Sequence, residues 1–306
     1  MQYEEIFSTY TNKKIKGRHI TNKSIEPVLD NLSDSFKVKI EGKSVLGKPI
    51  YSVQYGQGKT KIYMWSQMHG DEATCTKAII DFFEVLSNDN EYSDFIQSKY
   101  NLYIVPLANP DGAEVHTREN INKIDLNRDV QDCTQPESKI LKQIFENFQP
   151  DYCLNMHDQR TIYGVGDTNK SAIISFLAPA YNITRDINDY RSKAMNVIGK
   201  MNNVLQNYIP GHVGRYNDAY CDNCFGDYFA SKNAVTILFE AGHYPDDYAR
   251  DVTRKYIFIG LLVAFDIIHE NVVVNNNNAE YFNPKDENII AAARPTMKIS
   301  MVLPLT

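Results

Sequence analysis

At 306 residues, with 43% hydrophobic and 23% charged residues, the chain has the make-up of a globular protein able to bury a sizeable core. Its net charge of −6 argues against a nucleic-acid partner, which would reward clustered lysine and arginine, and the basic run Lys13-Lys14-Ile15-Lys16 reads as a solvated face. The longest apolar stretch, Tyr256 to Ile268, is interrupted by Asp266 and is shorter than the about 20 residues a bilayer span needs, so no membrane role is expected.

The opening residues Met1-Gln2-Tyr3-Glu4-Glu5 are acidic and no apolar targeting segment follows them. Together with five cysteines, an odd number, this leads to an expectation of free thiols and a cytoplasmic location. Alternation over Phe36 to Ile40 and a mixed pattern over Ile50 to Gln54 predict an antiparallel hairpin with Gly47 in its turn. Apolar runs then recur near Lys61, Leu102, Tyr152 and Ala234, separated by helical patterns over Asp71 to Leu86, Pro136 to Phe148 and Arg185 to Tyr208. Tyr256 to Ile268 reads as a buried helix. This order predicts an α/β fold, a mixed twisted β-sheet between helical layers. The polar run Asn275 to Asn278 reads as a linker or exposed loop, and the apolar tail from Met297 to Leu305 as a strand that packs back.

Chemistry-bearing residues fall at the ends of the apolar runs. In KIYMWSQMHGDEATCTKAII, His69 and Glu72 leave one strand-to-helix turn, where an imidazole and a carboxylate can converge on a cation and the intervening glycine allows a tight bend. Taken alone, the pair also fits a polar turn capping a helix. In PDYCLNMHDQR, the residues around Leu154 form a short buried strand that delivers His157, a candidate third ligand. KNAVTILFEAG ends in Glu240, placed at the sheet's rim to take a proton from water in a zinc hydrolase of the His, Glu, His type. Each of these, in isolation, is also a common polar group at a strand end.

Between them lie LYIVPLANPDG and HTRENINKIDLNRD. With these strings the chain, over roughly Ile62 to Gly242, resembles a zinc metallocarboxypeptidase of the pancreatic carboxypeptidase superfamily: a His-x-x-Glu pair, an Asn-Pro-Asp-Gly turn, an arginine ahead of Asp-Leu-Asn-Arg, a later histidine and a strand-end glutamate, in the family's order. The resemblance implies that His69, Glu72 and His157 hold Zn²⁺, that Glu240 is the general base and that Arg118 steadies the developing oxyanion. Asn127 and Arg128 match the pair that receives a free C-terminal carboxylate, a task suited to a planar guanidinium. The loop GRYNDAYCDNCFGDYFAS offers Tyr216, Tyr220 and Tyr228 for the family's loop tyrosine, and alignment on Asp227 selects Tyr220.

Three departures stand out. Asn122-Lys123-Ile124 replaces a usually glycine-rich stretch, so the loop holding Arg118 is expected to follow a different path; Asp158-Gln159-Arg160 follows the later histidine and is expected to line or border the cleft; and Asp71 makes the rim more acidic. Cys221-x-x-Cys224 has no second pair to complete a metal site, and it suggests an oxidation-sensitive loop. Because the proposed site draws on residues 69 to 240, residues 1–270 are expected to form one catalytic domain, with 271–306 a C-terminal extension of no assigned role. The expected activity is carboxypeptidase hydrolysis of a peptide. Two alternatives are an amidohydrolase acting on N-acyl amino acids or cell-wall peptides, and a zinc-dependent binding protein without catalysis. The expected partner is thus a peptide or acyl-amino-acid substrate with a free carboxylate.

Overall fold

The computed structural model describes residues 3–270 and 278–282. Two short helices, α1 (Tyr3–Tyr10) and α2 (Asn22–Leu29), precede the predicted hairpin of β1 (Phe36–Lys43) and β2 (Pro49–Tyr55). Gly47 takes φ 80° in its turn and donates its N–H to the Ser44 carbonyl at 2.9 Å, a left-handed conformation that glycine adopts without a Cβ clash. β3 (Thr60–Ser66) runs through the turn carrying His69 and Glu72 into α3 (Thr74–Leu86), followed by α4 (Glu91–Lys99) and β4 (Tyr100–Val105). Then come α5 (Pro110–Val115), a 3-10 turn over Leu126–Arg128, α6 (Pro136–Phe148) and β5 (Tyr152–Asp158). The chain continues through β6 (Ile174–Leu177), α7 (Asp189–Leu205), β7 (Val213–Arg215), α8 (Phe225–Ser231), β8 (Val235–Ala241) and α9 (Asp251–His269).

The strands form one eight-stranded mixed sheet in the order β1-β2-β4-β3-β5-β8-β6-β7. Its centre, β4, β3, β5 and β8, is parallel. From β3 the chain first lays β4 on one side and then returns to lay β5 on the other, and in open α/β sheets such a divergence leaves a crevice beyond the carboxyl ends of the strands. The candidate residues sit on that rim: His69 follows β3, and His157 and Glu240 lie opposite each other in register near the ends of β5 and β8.

Side-chain alternation decides which way they face. Ile62 and Met64 of β3 join the larger core, with residues of α1, α3, α7 and α9, whereas Tyr63 and Trp65 join a second core with α6 and α8. On β5 and β8, Leu154, Met156, Ile237, Phe239 and Ala241 belong to the larger core. The odd-parity residue His157 and its partner Glu240 therefore point to the opposite face. Phe145 and Phe229, stacked at 3.9 Å between ring centroids, close the second core beneath them.

Several boundaries differ from the sequence reading for local reasons. α3 begins at Thr74 rather than Asp71, because Glu72 stays in the turn with its N–H on the His69 carbonyl, and the Asp158 carboxylate accepts the N–H groups of Thr74 and Cys75. α7 spans Asp189–Leu205, inside the predicted range, with Asn188 capping the Arg191 N–H. The short strands β6 and β7 were not expected. Asn278 is buried and accepts a hydrogen bond from Ser192, so that end of the polar run is not an exposed loop. Asn275 to Asn277, and the tail from Met297 to Leu305, lie outside the described residues. Among the described residues no helix is long and apolar enough to cross a membrane.

α3 is buried on nearly every side, which places Asp81 in the core against α9. Burial pushes the Asp81 carboxyl up, and the Arg254 guanidinium, 2.6 Å away through Nε, opposes it. Arg254 also donates to the carbonyls of Ile15 and Asn12, so this pair joins the N-terminal segment, α3 and α9. Removing one member of a buried pair strands the other charge, at a cost of about 3–5 kcal/mol. Arg254→Leu should lower unfolding free energy in denaturant titration by that amount, and the double variant Asp81→Leu/Arg254→Leu should recover much of it. A single-variant loss below about 1 kcal/mol would contradict this reading.

Candidate metal centre

The ligand turn is built by packing one turn on another. The carbonyls of Ser66 and Gln67 accept the N–H groups of Ala108 and Asn109, and the Asn109 side chain donates to Met68 O while its oxygen caps Gly112 N–H at the start of α5. A Cβ on Gly70 would lie 2.0 Å from the Gly112 carbonyl carbon, so glycine between the ligands is required by close approach of two backbones. Its φ is not positive, and the tight-bend explanation is replaced by this packing.

At the centre, His69 Nδ1 lies 2.8 Å from Glu72 Oε1, and His157 Nδ1 lies 2.8 Å from Glu72 Oε2 and 3.1 Å from His69 Nδ1. All three side chains are buried, at 2–3% exposure. His69 Nε2 meets the Asp125 carboxylate at 3.0 Å; a proton there satisfies Asp125, which can only accept, and leaves Nδ1 as a lone pair facing Glu72. Two imidazole nitrogens and a carboxylate thus converge within 4.8 Å, and Arg118 Nη1, 3.1 Å from both His69 Nδ1 and Glu72 Oε1, is the positive charge that faces them. Donor type, number and burial fit the two-histidine, one-carboxylate sets that hold catalytic zinc. A carboxylate on the far nitrogen of a ligand histidine is the usual orienting device, and the sequence reading assigned Asp125 no role. Its place inside Asp-Leu-Asn-Arg was the available signal.

Asp125 also joins Arg118, whose Nε and Nη2 reach Oδ2 at 3.1 and 3.0 Å while Nη1 reaches Glu72 Oε1 at 3.1 Å. The divergent Asn122-Lys123-Ile124 stretch still closes this loop. Asn120 folds a turn with Ile124, and Lys123 takes φ 62°, the left-handed conformation that glycine favours.

The Asn127 carboxamide oxygen accepts the Phe225 N–H, and Arg128 Nη1 donates to the Asn127 carbonyl and to Cys224 Sγ at 3.0 Å. Cys221 and Cys224 are disulfide-bonded, which corrects the expectation that all five cysteines are free thiols; Cys75, Cys133 and Cys153 are free. On the same loop, burial followed by the charges of Asp222 and Asp227 pushes the Tyr220 hydroxyl up. For Tyr216 it is burial, then the charge of Glu240 and the neighbouring Tyr163, with Glu72 contributing less, that pushes the hydroxyl up. Of Asp158-Gln159-Arg160, expected to line or border the cleft, only Arg160 is exposed. Asp158 and Gln159 are buried, the first turned to the start of α3 and the second donating to Ser175.

The charges around the centre separate its carboxylates. Burial acts to raise Glu72, but His69 and His157 outweigh it and hold the group well below the usual carboxylate range. Burial, then the charges of Glu72 and Asp158, push Glu240 well above that range, against the pull of Arg118 and Arg250. The two neighbouring acids are thus pushed in opposite directions, Glu72 toward the ionised form and Glu240 toward a higher affinity for protons.

The zinc carboxypeptidase family model matches residues 21–139, a span that includes His69, Glu72, Arg118, Asn127 and Arg128. Carboxypeptidase E of Caenorhabditis elegans is 30% identical, over 30% of this chain and 24% of that protein. Carboxypeptidase SOL1 of Arabidopsis thaliana is 28% identical, over 33% of this chain and 24% of that protein. The chain thus matches about a quarter of the length of these curated relatives. A metallo-carboxypeptidase from Burkholderia cenocepacia superposes with TM-score 0.68 at 13% identity, covering 82% of this chain and 70% of that one. Bovine thrombin-activatable fibrinolysis inhibitor does so with TM-score 0.61 at 14% identity, covering 89% and 98%. At such identities the solved structures show the shared fold.

The arrangement has a consequence for cation uptake. Burial acts to lower the His69 pKa, but Glu72 and Asp125 outweigh it and the net shift is upward. Without a cation His69 therefore carries a proton over more of the mildly acid range, and a metal ion must displace it. Zinc titration by calorimetry at pH 6 in two buffers of different ionisation enthalpy should show proton release and an affinity that rises with pH. A buffer-independent heat with pH-independent affinity would contradict the assignment of His69 as a ligand.

Proposed function

We propose, from the premise that the family match and the curated relatives indicate the zinc metallocarboxypeptidase superfamily and that the solved structures share its fold, that this chain hydrolyses the C-terminal peptide bond of a peptide with a free carboxylate. The observation that carries the reading is the placement of Glu240 in register with His157, beside a buried set of acceptors and the Arg118 guanidinium. Zinc held by His69, Glu72 and His157 would polarise the scissile carbonyl and acidify water, which is the chemistry an amide requires. Glu240 accepts a proton from the attacking water and returns it to the departing amine, and its raised affinity for protons suits that shuttle. Arg118 supplies fixed positive charge where negative charge develops on the carbonyl oxygen. Arg128, exposed at the rim, presents its guanidinium to the terminal carboxylate, and Asn127 borders the same position. Tyr220 remains the loop tyrosine assigned to substrate by family resemblance, with Tyr216 nearer the charge of Glu240.

The amidohydrolase alternative keeps the same centre and the same use of Arg128. What favours keeping it is that the family match stops at residue 139, ahead of His157, Glu240 and the tyrosine loop, so part of the proposed site lies outside the matched span. Mass spectrometry of products from zinc-loaded protein, with peptide and acyl-amino-acid libraries, separates the two. Release of single C-terminal residues supports the carboxypeptidase reading, and cleavage of acyl amino acids alone rejects it.

Glu240→Gln should retain zinc and lose about 10²–10⁴-fold in kcat, and retention of full activity would remove Glu240 from the mechanism. Arg128→Ala should raise KM for peptides with a free C-terminal carboxylate about 10- to 100-fold, with little effect on C-terminally amidated ones. An unchanged preference for the free carboxylate would reject Arg128 as its partner.

A further inference from the structure

The centre is unevenly supported. Asp125 orients His69, but His157 Nε2 is buried without a partner among the described residues, so within them the aim of His157 depends on the end of β5 and on its contacts with Glu72 and His69. The end of β5 is held by a residue far along the sequence. Arg250 is 2% exposed, and its Nη1 donates to the Ala241 carbonyl at 3.2 Å while Nη2 donates to the Gln159 carbonyl. Ala241 follows Glu240, and Gln159 lies two residues after His157. The same guanidinium stands 3.4 Å from the Asp158 carboxylate. Asp158 in turn accepts the Thr74 and Cys75 N–H groups at 2.8 and 3.2 Å, and gives its own N–H to Glu72 Oε2 at 3.1 Å. Gln159 N–H on Ala241 O, at 2.7 Å, completes the ring of contacts.

Arg250 sits in the left-handed backbone region at φ 55°, unusual for a residue with a Cβ, and the turn before α9 holds it there through its N–H on the Asp247 carbonyl. Asp247 also accepts the first N–H groups of α9, from Asp251, Val252 and Thr253. The backbone is thus shaped to send one planar fork inward beneath the centre. A guanidinium can hold two carbonyls and a carboxylate at once, whereas an ammonium offers a single point of charge.

We propose that Arg250 is a positioning residue, clamping the ends of β5 and β8 and, through Asp158, the start of α3, so that His157, Glu240 and Glu72 meet at one point. Its kinetic consequences rest on the hydrolase reading; its consequence for cation binding does not. Groups that orient ligands from behind typically govern metal affinity by 10- to 100-fold.

The test uses the full chain with Arg250→Met, Arg250→Lys and Asp158→Asn. Zinc affinity is measured by competition with a chromophoric chelator, alongside thermal melting by circular dichroism and peptide kinetics. Arg250→Met should weaken zinc binding about 10- to 100-fold, below its melting temperature, and lower kcat to a similar degree with KM within about 2-fold. Arg250→Lys should recover only part of both losses, and Asp158→Asn should move them the same way by less. A lower melting temperature with wild-type zinc affinity and kcat in the folded variants would make Arg250 merely structural and overturn the proposal. If Arg250→Met does not fold, Arg250→Lys and Asp158→Asn decide by the same criterion. Should the wild-type protein cleave no peptide, the hydrolase reading fails while zinc affinity still decides the clamp.

Discussion

Two imidazole nitrogens and a carboxylate aimed at one another inside a protein are unstable company. His69, Glu72 and His157 face one another in a buried site with Asp125 claiming the far nitrogen of His69, and only Arg118 and the Asp158 N–H donate into the group from outside. A cation resolves the conflict, and the surrounding groups are explicable from that need. Arg118 places positive charge beside Glu72, and burial with the charges of Glu72 and Asp158 raises the proton affinity of Glu240 against the pull of Arg118 and Arg250.

The fold exists, for this purpose, to bring residues 69, 72, 157 and 240 to one rim. Parallel strands do so because all their carboxyl ends lie on the same edge of the sheet, and the parity of β5 and β8 sends His157 and Glu240 to the same face. The ligand turn cannot drift, since its glycine is packed on the glycine of the Asn-Pro-Asp-Gly turn. Much of the chain's buried charge serves the same rigidity. Asp81 with Arg254 fixes α3 to α9, and Asp158 with Arg250 fixes α3 to the strand ends.

The parts legible in the sequence were those with strong local patterns. The hairpin around Gly47, the apolar runs that became β3, β4, β5 and β8, and the helix over Pro136–Phe148 follow directly from periodicity and turn residues. The grouping of His69, Glu72 and His157 was legible through motif order, and the structure brings the three together in a group that could hold a metal ion. What escaped depends on contacts between distant residues. β6 and β7 are strands only because β8 offers an edge to pair with. Asp158 looks like a cleft residue from its place beside His157, but Arg250, some ninety positions later, draws it inward. Asp125 looked like part of a binding motif, yet its carboxylate is committed to His69 and Arg118. The Cys221–Cys224 bridge is a matter of geometry that counting cysteines does not reach.

The central claim is that these side chains share one divalent ion. Anomalous diffraction at the zinc absorption edge, from crystals of the protein grown with zinc, tests it most directly. The account predicts one strong peak per chain within bonding distance of His69 Nδ1, His157 Nδ1 and a Glu72 oxygen, about 2.0–2.2 Å from each. Zinc bound elsewhere on the chain, with no peak among these three residues, would contradict it.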